Sequence, residues 1–216
     1  MQVAARGCPP SLATIITGLY PHQHLITGND PAGVTRVSGD DPVYARKNEL
    51  LIRNLDRVAT LPRLLAGKGY VSFQSGKWWE GHYSRGGFAE GMTHGKPPRW
   101  RRAGDDGLKI GREGLEPIFQ FIERAGENPF FLWYAPFMPH RPHTPPEKYV
   151  ARYRQEGRSE ELTLYYAMCR WFDQTVRELL QYLERKDLRE NTLVVYVADN
   201  GWIQWTREMP VPSGWR

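Results

Sequence analysis

Three short apolar runs constrain the fold of this chain more than any other feature of its sequence. They cover residues 70–74, 130–135 and 192–198, and each is continuous rather than alternating. Continuous runs rich in β-branched or aromatic residues are typical of strands that are covered on both faces. Stretches with helical periodicity separate the runs, and this alternation predicts βαβ units. The sequence therefore predicts an α/β fold with a mostly parallel central sheet.

Helical periodicity is strongest over residues 159–186, where apolar residues recur every three or four positions. Ser159 is the expected N-cap of this helix, and the acidic residues that follow it suit the positive end of the helix dipole. Thr144 is expected to cap a short helix that carries proline in its first turn. The remaining predicted elements are helices over 59–68 and 113–124, and a Gly-rich excursion from the sheet over 81–111.

The composition is that of an ordinary globular domain, with 216 residues, 40% hydrophobic and 25% charged. No apolar run approaches the ~18 residues that a membrane span needs, so we expect no span. Two cysteines are too few for a disulfide scaffold. The net charge of +5 is compatible with anionic ligands, but no motif that reads nucleic acid accompanies it, so nucleic acid is not an expected partner.

Polar residues follow each of the three predicted strands, at 75–77, 139–140 and 199–201. The carboxyl ends of parallel strands share one edge of the sheet, where ligands bind in folds of this kind. Taken singly, each cluster has an ordinary structural explanation, such as a surface lysine for Lys77 or a turn for residues 199–201. Their shared position after strands favours a functional site.

The order of the motifs resembles that of the type I sulfatases, within the alkaline-phosphatase superfamily. Residues 8–24, CPPSLATIITGLYPHQH, resemble the family signature Cys-x-Pro-Ser-Arg followed by Thr-Gly and often Tyr-Pro. Residues 76–81, GKWWEG, resemble the family's Gly-Lys-Trp-His-Leu-Gly, and later blocks at 129–149 and 191–201 follow in the family's order. The resemblance implies an α/β/α sandwich. It also implies that residues 1–216 are a partial catalytic domain, without the family's first strand and C-terminal part.

The resemblance also implies a chemistry. In this family the motif cysteine is oxidised to formylglycine, whose hydrate attacks the sulfur of a sulfate ester, while Ca²⁺ in an oxygen cage polarises the sulfate. Cys8 takes the nucleophile position, and Lys77 takes that of the sulfate-contacting lysine. His140, with His143 as the alternative, takes the position of the histidine near the leaving group. The implied metal ligands are Asp199 and Asn200.

Two residues depart from the family pattern near this site. Leu12 stands where the family has an arginine that assists both maturation and the hydrated nucleophile. Trp79 stands where the family has the histidine that deprotonates the hydrate, and His82 is the candidate substitute. The paired aspartates that complete the Ca²⁺ cage belong to the first strand, so we expect Ca²⁺ binding to be weak or absent. The chain by itself is expected to be inactive or weakly active.

Three function classes remain open from the sequence. The first is a sulfuric ester hydrolase whose partner is a sulfated small molecule or a sulfated glycan. The second is a non-catalytic binding module for anionic, sulfated ligands, which Leu12 and Trp79 favour. The third is a phosphoester hydrolase, against which Cys8 argues because those relatives usually employ Thr or Ser. Localisation stays open: sulfatases of this type are often exported to the periplasm or beyond, and a signal would precede Met1.

Overall fold

A computed structural model describes residues 7–34, 41–95 and 105–201 of the chain. The described residues form two compact units. The first contains the described residues up to Phe137 together with Tyr196–Asn200, and the second contains Met138–Val195 and Gly201. None of the described helices has both the length and the apolar character needed to cross a bilayer.

The first unit is built around a parallel sheet. Its strands are β1 (Val71–Gly76), β2 (Glu90–Gly91) and β3 (Phe130–Ala135), in the order β2-β1-β3. The β1–β3 register runs from Val71 opposite Phe130 to Gly76 opposite Ala135. The predicted parallel sheet is thus confirmed, together with two of the three predicted strands.

The third predicted strand, over residues 192–198, is wrong. This segment pairs with no strand among the described residues, and Leu193 and Val195 are 88% and 72% exposed. A strand forms only where a neighbouring backbone accepts and donates the ladder hydrogen bonds. The central strand β1 already has a parallel neighbour on each side, namely β2 and β3. Apolar composition shows that a segment is able to form a strand, but it becomes one only if another strand pairs with it.

Helices surround the sheet of the first unit. Their bounds are α1 (Cys8–Thr17), α2 (Pro21–His24), α3 (Pro42–Asp56), α4 (Leu61–Ala66) and α5 (Glu116–Ala125). Helix α4 is shorter than predicted, and α5 begins three residues late because Gly114 has φ +100, which a helix does not tolerate. Helix α3 was not predicted. The predicted excursion contains two 3-10 turns, at Tyr83–Gly86 and Asp106–Lys109, as well as β2.

Both faces of this sheet are covered. On one face, Leu12 and Ile16 of α1 belong to a core with Trp133 of β3. On the other, Phe73 stacks on Phe121 of α5 with ring centroids 5.0 Å apart. Because side chains alternate along a strand, β3 sends residues to both layers. The first unit therefore has the α/β/α layering that the resemblance implies.

The second unit contains α6 (Glu147–Val150) and α7 (Glu160–Arg185). Ser159 caps α7 as predicted, since its Oγ accepts a hydrogen bond from the Leu162 N–H at 3.3 Å. The predicted Thr144 cap is wrong: Pro146 occupies the N-cap position of α6, and a cap acts only from the residue next to the first helical one. Tyr149, Val150 and Ala167 form the core of this unit.

Candidate active site

Cys8 is the first residue of α1, and the residues around it determine how the chain enters the helix. Gly7 precedes it with φ +118, a conformation that side chains other than glycine rarely adopt. A Cβ atom at position 7 would also collide with the Asn29 amide oxygen. Both observations require glycine before Cys8.

The N-terminus of α1 is poorer in hydrogen-bond donors than most. Helix N-termini attract anions through unpaired backbone N–H groups and the helix dipole. Pro9 and Pro10 occupy the first turn and carry no N–H. An anion beside Cys8 therefore depends more on cationic side chains than it would at an ordinary helix start.

One cationic side chain lies beside Cys8. Lys77 follows β1, and its Nζ lies 3.1 Å from Asp199 Oδ2, with the two side chains only 10% and 23% exposed. The Trp79 and Phe137 rings lie about 6 Å from the same ammonium group, at 6.0 and 5.8 Å. The structure thus brings Lys77 and Asp199 together across 122 residues of sequence.

The Cys8 thiol contacts this ion pair. Burial raises the pKa of the Cys8 thiol to about 11, the Lys77 ammonium partly lowers it, and Asp199 raises it again by charge and by a hydrogen bond. A thiol with this pKa is almost entirely protonated at neutral pH. Since the thiolate is the nucleophilic form, unmodified Cys8 is a weak nucleophile in this setting.

The group of Cys8, Lys77 and Asp199 is named the Cys8 corner. Asn200 connects this corner to α1 through Ser11. The Asn200 amide donates to Ser11 Oγ at 3.2 Å, and Ser11 Oγ donates to the Gly7 carbonyl at 3.0 Å. The Asn200 backbone N–H donates to Asp199 Oδ1 at 2.9 Å. Ser11 is a site residue that was not predicted, although its place in the Cys-x-Pro-Ser motif is the signal that could have found it.

The two departures from the family pattern are not equivalent. Leu12 is buried in the core of the first unit and provides neither charge nor donor. Trp79 lies beside Lys77 and presents its ring to the ammonium group. A tryptophan offers a π face and one N–H, so it cannot accept a proton as a histidine does.

Glu80 is a third unusual residue, at the position where the family motif has leucine. The residue is 3% exposed, and its Oε1 atom has no hydrogen-bond partner among the residues that the structure describes. Burial raises the pKa of the Glu80 carboxyl to about 8. Nothing in the local sequence indicates that this acid is buried.

The three candidate histidines, His82, His140 and His143, do not all belong to the same unit. His82 Nδ1 lies 2.8 Å from Ser84 Oγ, and its ring packs against Tyr83 and His94. His140 and His143 belong to the second unit, where His140 Nδ1 lies 2.8 Å from the Arg141 carbonyl oxygen. Their assignment to the leaving group stays a prediction.

His24, within the first motif, has a structural explanation. Its Nδ1 accepts from the Ile26 N–H at 3.1 Å, so Nε2 carries the proton and donates to Thr14 Oγ1 at 3.1 Å. Burial lowers the pKa of His24, which keeps the ring neutral. The histidine thereby ties the turn after α1 to the helix itself.

The residues of the Cys8 corner, together with Asn200, offer few of the ligands that Ca²⁺ needs. The ion takes six to eight oxygen ligands. The two predicted ligands supply one carboxylate, whose oxygens already face the Lys77 ammonium and the Asn200 N–H, and one amide oxygen. Across residues 7–34, 41–95 and 105–201, no group of three or more His, Cys, Asp or Glu could hold a metal ion. These described residues do not by themselves fit a Ca²⁺ site.

Comparison with known proteins gives a consistent result. The protein-family model described as Sulfatase matches residues 1–203. The N-acetylgalactosamine-6-sulfatases of Canis lupus familiaris and Homo sapiens are 28% and 27% identical to this chain, each over 90% of it. The chain spans 41% of the length of these relatives.

Solved structures with the same fold include Ps i-CgsB, free and in complex with k-i-k-neocarrahexaose. The complex superposes with a TM-score of 0.57 at 18% identity, covering 86% of this chain and 46% of the solved one. The free form gives the same TM-score and coverage at 19% identity. At these identities the likeness shows the fold.

Proposed function

Because the chain belongs to the type I sulfatase family, we propose that its Cys8 corner serves the hydrolysis of a sulfate ester. The observation that carries this proposal is the meeting of Cys8, Lys77 and Asp199 at the start of α1. A buried ammonium group beside a nucleophile position is suited to hold an anionic oxygen of the substrate.

Different side chains of the chain would carry out different steps of the hydrolysis. Lys77 attracts a sulfate oxygen, and its pairing with Asp199 keeps the ammonium group at the site before substrate arrives. The family's oxidation of the motif cysteine would supply at position 8 the nucleophile that a thiol of pKa about 11 does not provide. His140, or His143 in its place, would protonate the departing oxygen.

The proposed substrate is a sulfated small molecule or a sulfated glycan. Two relatives are named for the 6-sulfate of N-acetylgalactosamine, and one solved relative in fold carries a neocarrahexaose. These names support a sugar sulfate as the substrate class.

We expect Ca²⁺ to stabilise this chain little, since the described ligands amount to one carboxylate and one amide. A saturating ligand at about a hundred times its Kd would add about 2.7 kcal/mol to the free energy of unfolding. The measurement is a thermal melt in Ca²⁺ and in chelator. A melting temperature several degrees higher in Ca²⁺, with the gain cancelled by Asp199→Ala, would contradict the proposed ligand set.

A second function, non-catalytic binding of sulfated ligands, is favoured by one specific observation. Neither Leu12 in the core nor Trp79 at Lys77 can accept or donate the protons that turnover needs. A chain that keeps Lys77 at the site but has lost these groups would retain the anion without hydrolysing it.

The two functions are separated by producing the chain with the family's maturing enzyme. Peptide mass spectrometry measures the aldehyde at position 8, and release of 4-nitrophenol from its sulfate and phosphate esters measures turnover. We expect little of either from the unaltered chain. Leu12→Arg should raise the aldehyde yield, and Leu12→Met is the matched control of similar volume, with melting temperatures reported for both.

Any turnover by Leu12→Arg combined with Trp79→His should favour the sulfate ester over the phosphate ester, and Cys8→Ala should abolish it. Preference for phosphate, or turnover that survives Cys8→Ala, would overturn the hydrolase proposal. Retention on a sulfated matrix that Lys77→Ala removes, without turnover in any variant, would establish the binding function instead.

A further inference from the structure

The Asp199 carboxylate has several partners in the Cys8 corner. Its Oδ2 lies 3.1 Å from the Lys77 ammonium nitrogen, and its Oδ1 accepts from the Asn200 N–H at 2.9 Å. The Cys8 thiol also donates a hydrogen bond to this carboxylate. Asp199 therefore holds the same ammonium group to which the proposed function assigns the sulfate.

The ion pair leaves little net positive charge for an anion. The Lys77 and Asp199 side chains are mostly buried, so water screens their charges only weakly. The start of α1 adds few N–H donors, since Pro9 and Pro10 carry none. A sulfate that approaches the intact pair meets the Asp199 carboxylate as well as the ammonium group, and the meeting of two like charges lowers its affinity.

Two anions on Lys77 at the same time are unfavourable. An ammonium group has three N–H donors, so its geometry alone would allow it to serve a carboxylate and a sulfate together. The corner would then carry a net negative charge, and burial makes an uncompensated charge costly. The favourable alternative is an exchange, in which the sulfate takes the place of the carboxylate on Lys77.

The segment that carries Asp199 allows the carboxylate to move. Residues 192–198 form no strand with the described part of the chain, and Tyr196 and Val197 are 74% and 46% exposed. An exposed segment without ladder hydrogen bonds changes its conformation at a lower cost than a strand inside a sheet. Lys77, by contrast, follows β1, which is paired on both sides. The exchange therefore moves Asp199 and leaves Lys77 in place.

We propose that Asp199 is an internal competitor for the anion site, whose carboxylate occupies Lys77 until a sulfate group displaces it. This inference rests on the proposed role of Lys77 and adds the step that precedes sulfate binding there. It gives Asp199 a role that requires no metal ion, in agreement with the poor fit of the described residues to Ca²⁺.

The test measures the binding of inorganic sulfate to the purified chain by NMR. Sodium sulfate replaces sodium chloride at constant ionic strength, so that general screening stays the same. Shifts of the amide and indole signals in ¹H–¹⁵N spectra give the Kd, and the same spectra show whether each variant is folded. We expect Asp199→Asn to bind sulfate at least tenfold more tightly than the unaltered chain, because the amide keeps the shape of the carboxylate without its charge.

Three further variants define the origin of the gain. Asp199→Ser also removes the charge and should give a similar gain. Lys77→Met in the Asp199→Asn background should abolish sulfate binding. Asp56→Asn is the matched control, since Asp56 is likewise paired with an arginine, Arg85, but its side chain is 43% exposed. It should leave the Kd for sulfate unchanged.

The possible results separate this inference from the proposed function. Equal affinity in the unaltered chain and in Asp199→Asn, lost in Lys77→Met, would overturn the competition but keep Lys77 as the group that holds sulfate. Weaker binding by Asp199→Asn would mean that the carboxylate supports the anion site, and it would also overturn the competition. Sulfate binding that survives Lys77→Met, or no binding by Asp199→Asn at about 100 mM sulfate, would overturn the role of Lys77 and with it both proposals.

Discussion

Two regions of the first unit, its interior and its surface, hold charged side chains that differ in their exposure to water. In the interior, the Lys77–Asp199 pair, Glu80 and His24 are mostly withdrawn from water. At the surface, Arg124 of α5 and Glu90 of β2 form an ion pair, and their side chains are 53% and 44% exposed. Because water screens charges and satisfies polar atoms, equal substitutions should have unequal effects in the two regions.

The largest effect is expected at Glu80. Its folded pKa of about 8 lies above the ordinary value of 4.5, so between these values the folded chain keeps a proton that the unfolded chain loses. Stability should therefore be full below the ordinary pKa and fall as the pH rises through the folded one. Glu80→Leu, which restores the family residue, should stabilise the fold at alkaline pH by about 2 kcal/mol. Urea unfolding across this pH range measures the gain.

Glu80→Gln is the control for Glu80→Leu, since it removes the titration but keeps a buried polar group. It should flatten the pH dependence without the full gain in stability. If Glu80→Leu destabilises the chain at every pH, the carboxyl has a polar partner and the contrast between the regions fails at this position.

Lys77 should show the second largest effect. Lys77→Met keeps the stem but leaves Asp199 without its cation, in a site where the carboxylate is mostly buried. We expect a loss of about 1–2 kcal/mol, below the full value for a deeply buried pair because Asp199 keeps some contact with water. Asp199→Asn in the Lys77→Met background should recover part of this loss. A double-mutant cycle that shows no coupling would contradict the ion pair.

The sequence predicted the sheet better than it predicted the site's surroundings. Residues 130–135 and 192–198 have the same apolar pattern, yet only the first became a strand, because strand pairing is not written in local composition. The order of the motifs assigned Lys77 and Asp199 to one site, and the two residues do meet, although the segment before Asp199 is not a strand. Burial of Glu80 could not be predicted, since it depends on packing between distant segments, whereas the motif position of Ser11 could have marked that residue but not its hydrogen bond with Asn200.

His24 provides a weaker test with the opposite sign from Glu80. Burial lowers the pKa of His24 below its ordinary value of 6.5, so the unfolded chain binds a proton more readily than the folded one. Stability should be full above pH 6.5 and fall as the pH drops below it, because protonation opposes the hydrogen bond from Ile26. Thermal melts on the acid side measure this loss. His24→Gln should remove the acid-side slope and exposed His22→Gln should keep it; an unchanged slope in His24→Gln would assign the titration elsewhere.

The smallest effect is expected at the surface, where Arg124→Ala removes a short ion pair with Glu90. Exposed pairs contribute 0.2–1 kcal/mol in general, so we expect a loss of about 0.5 kcal/mol, and less at high salt because the ions screen it. Urea unfolding at low and high salt measures the change, and Glu123→Ala on the same helix controls for the loss of an exposed charge. A loss above about 1.5 kcal/mol that persists in high salt would mean that Arg124 supports the fold as Lys77 does. Burial would then no longer explain why charged side chains of the interior and of the surface differ in their contribution to stability.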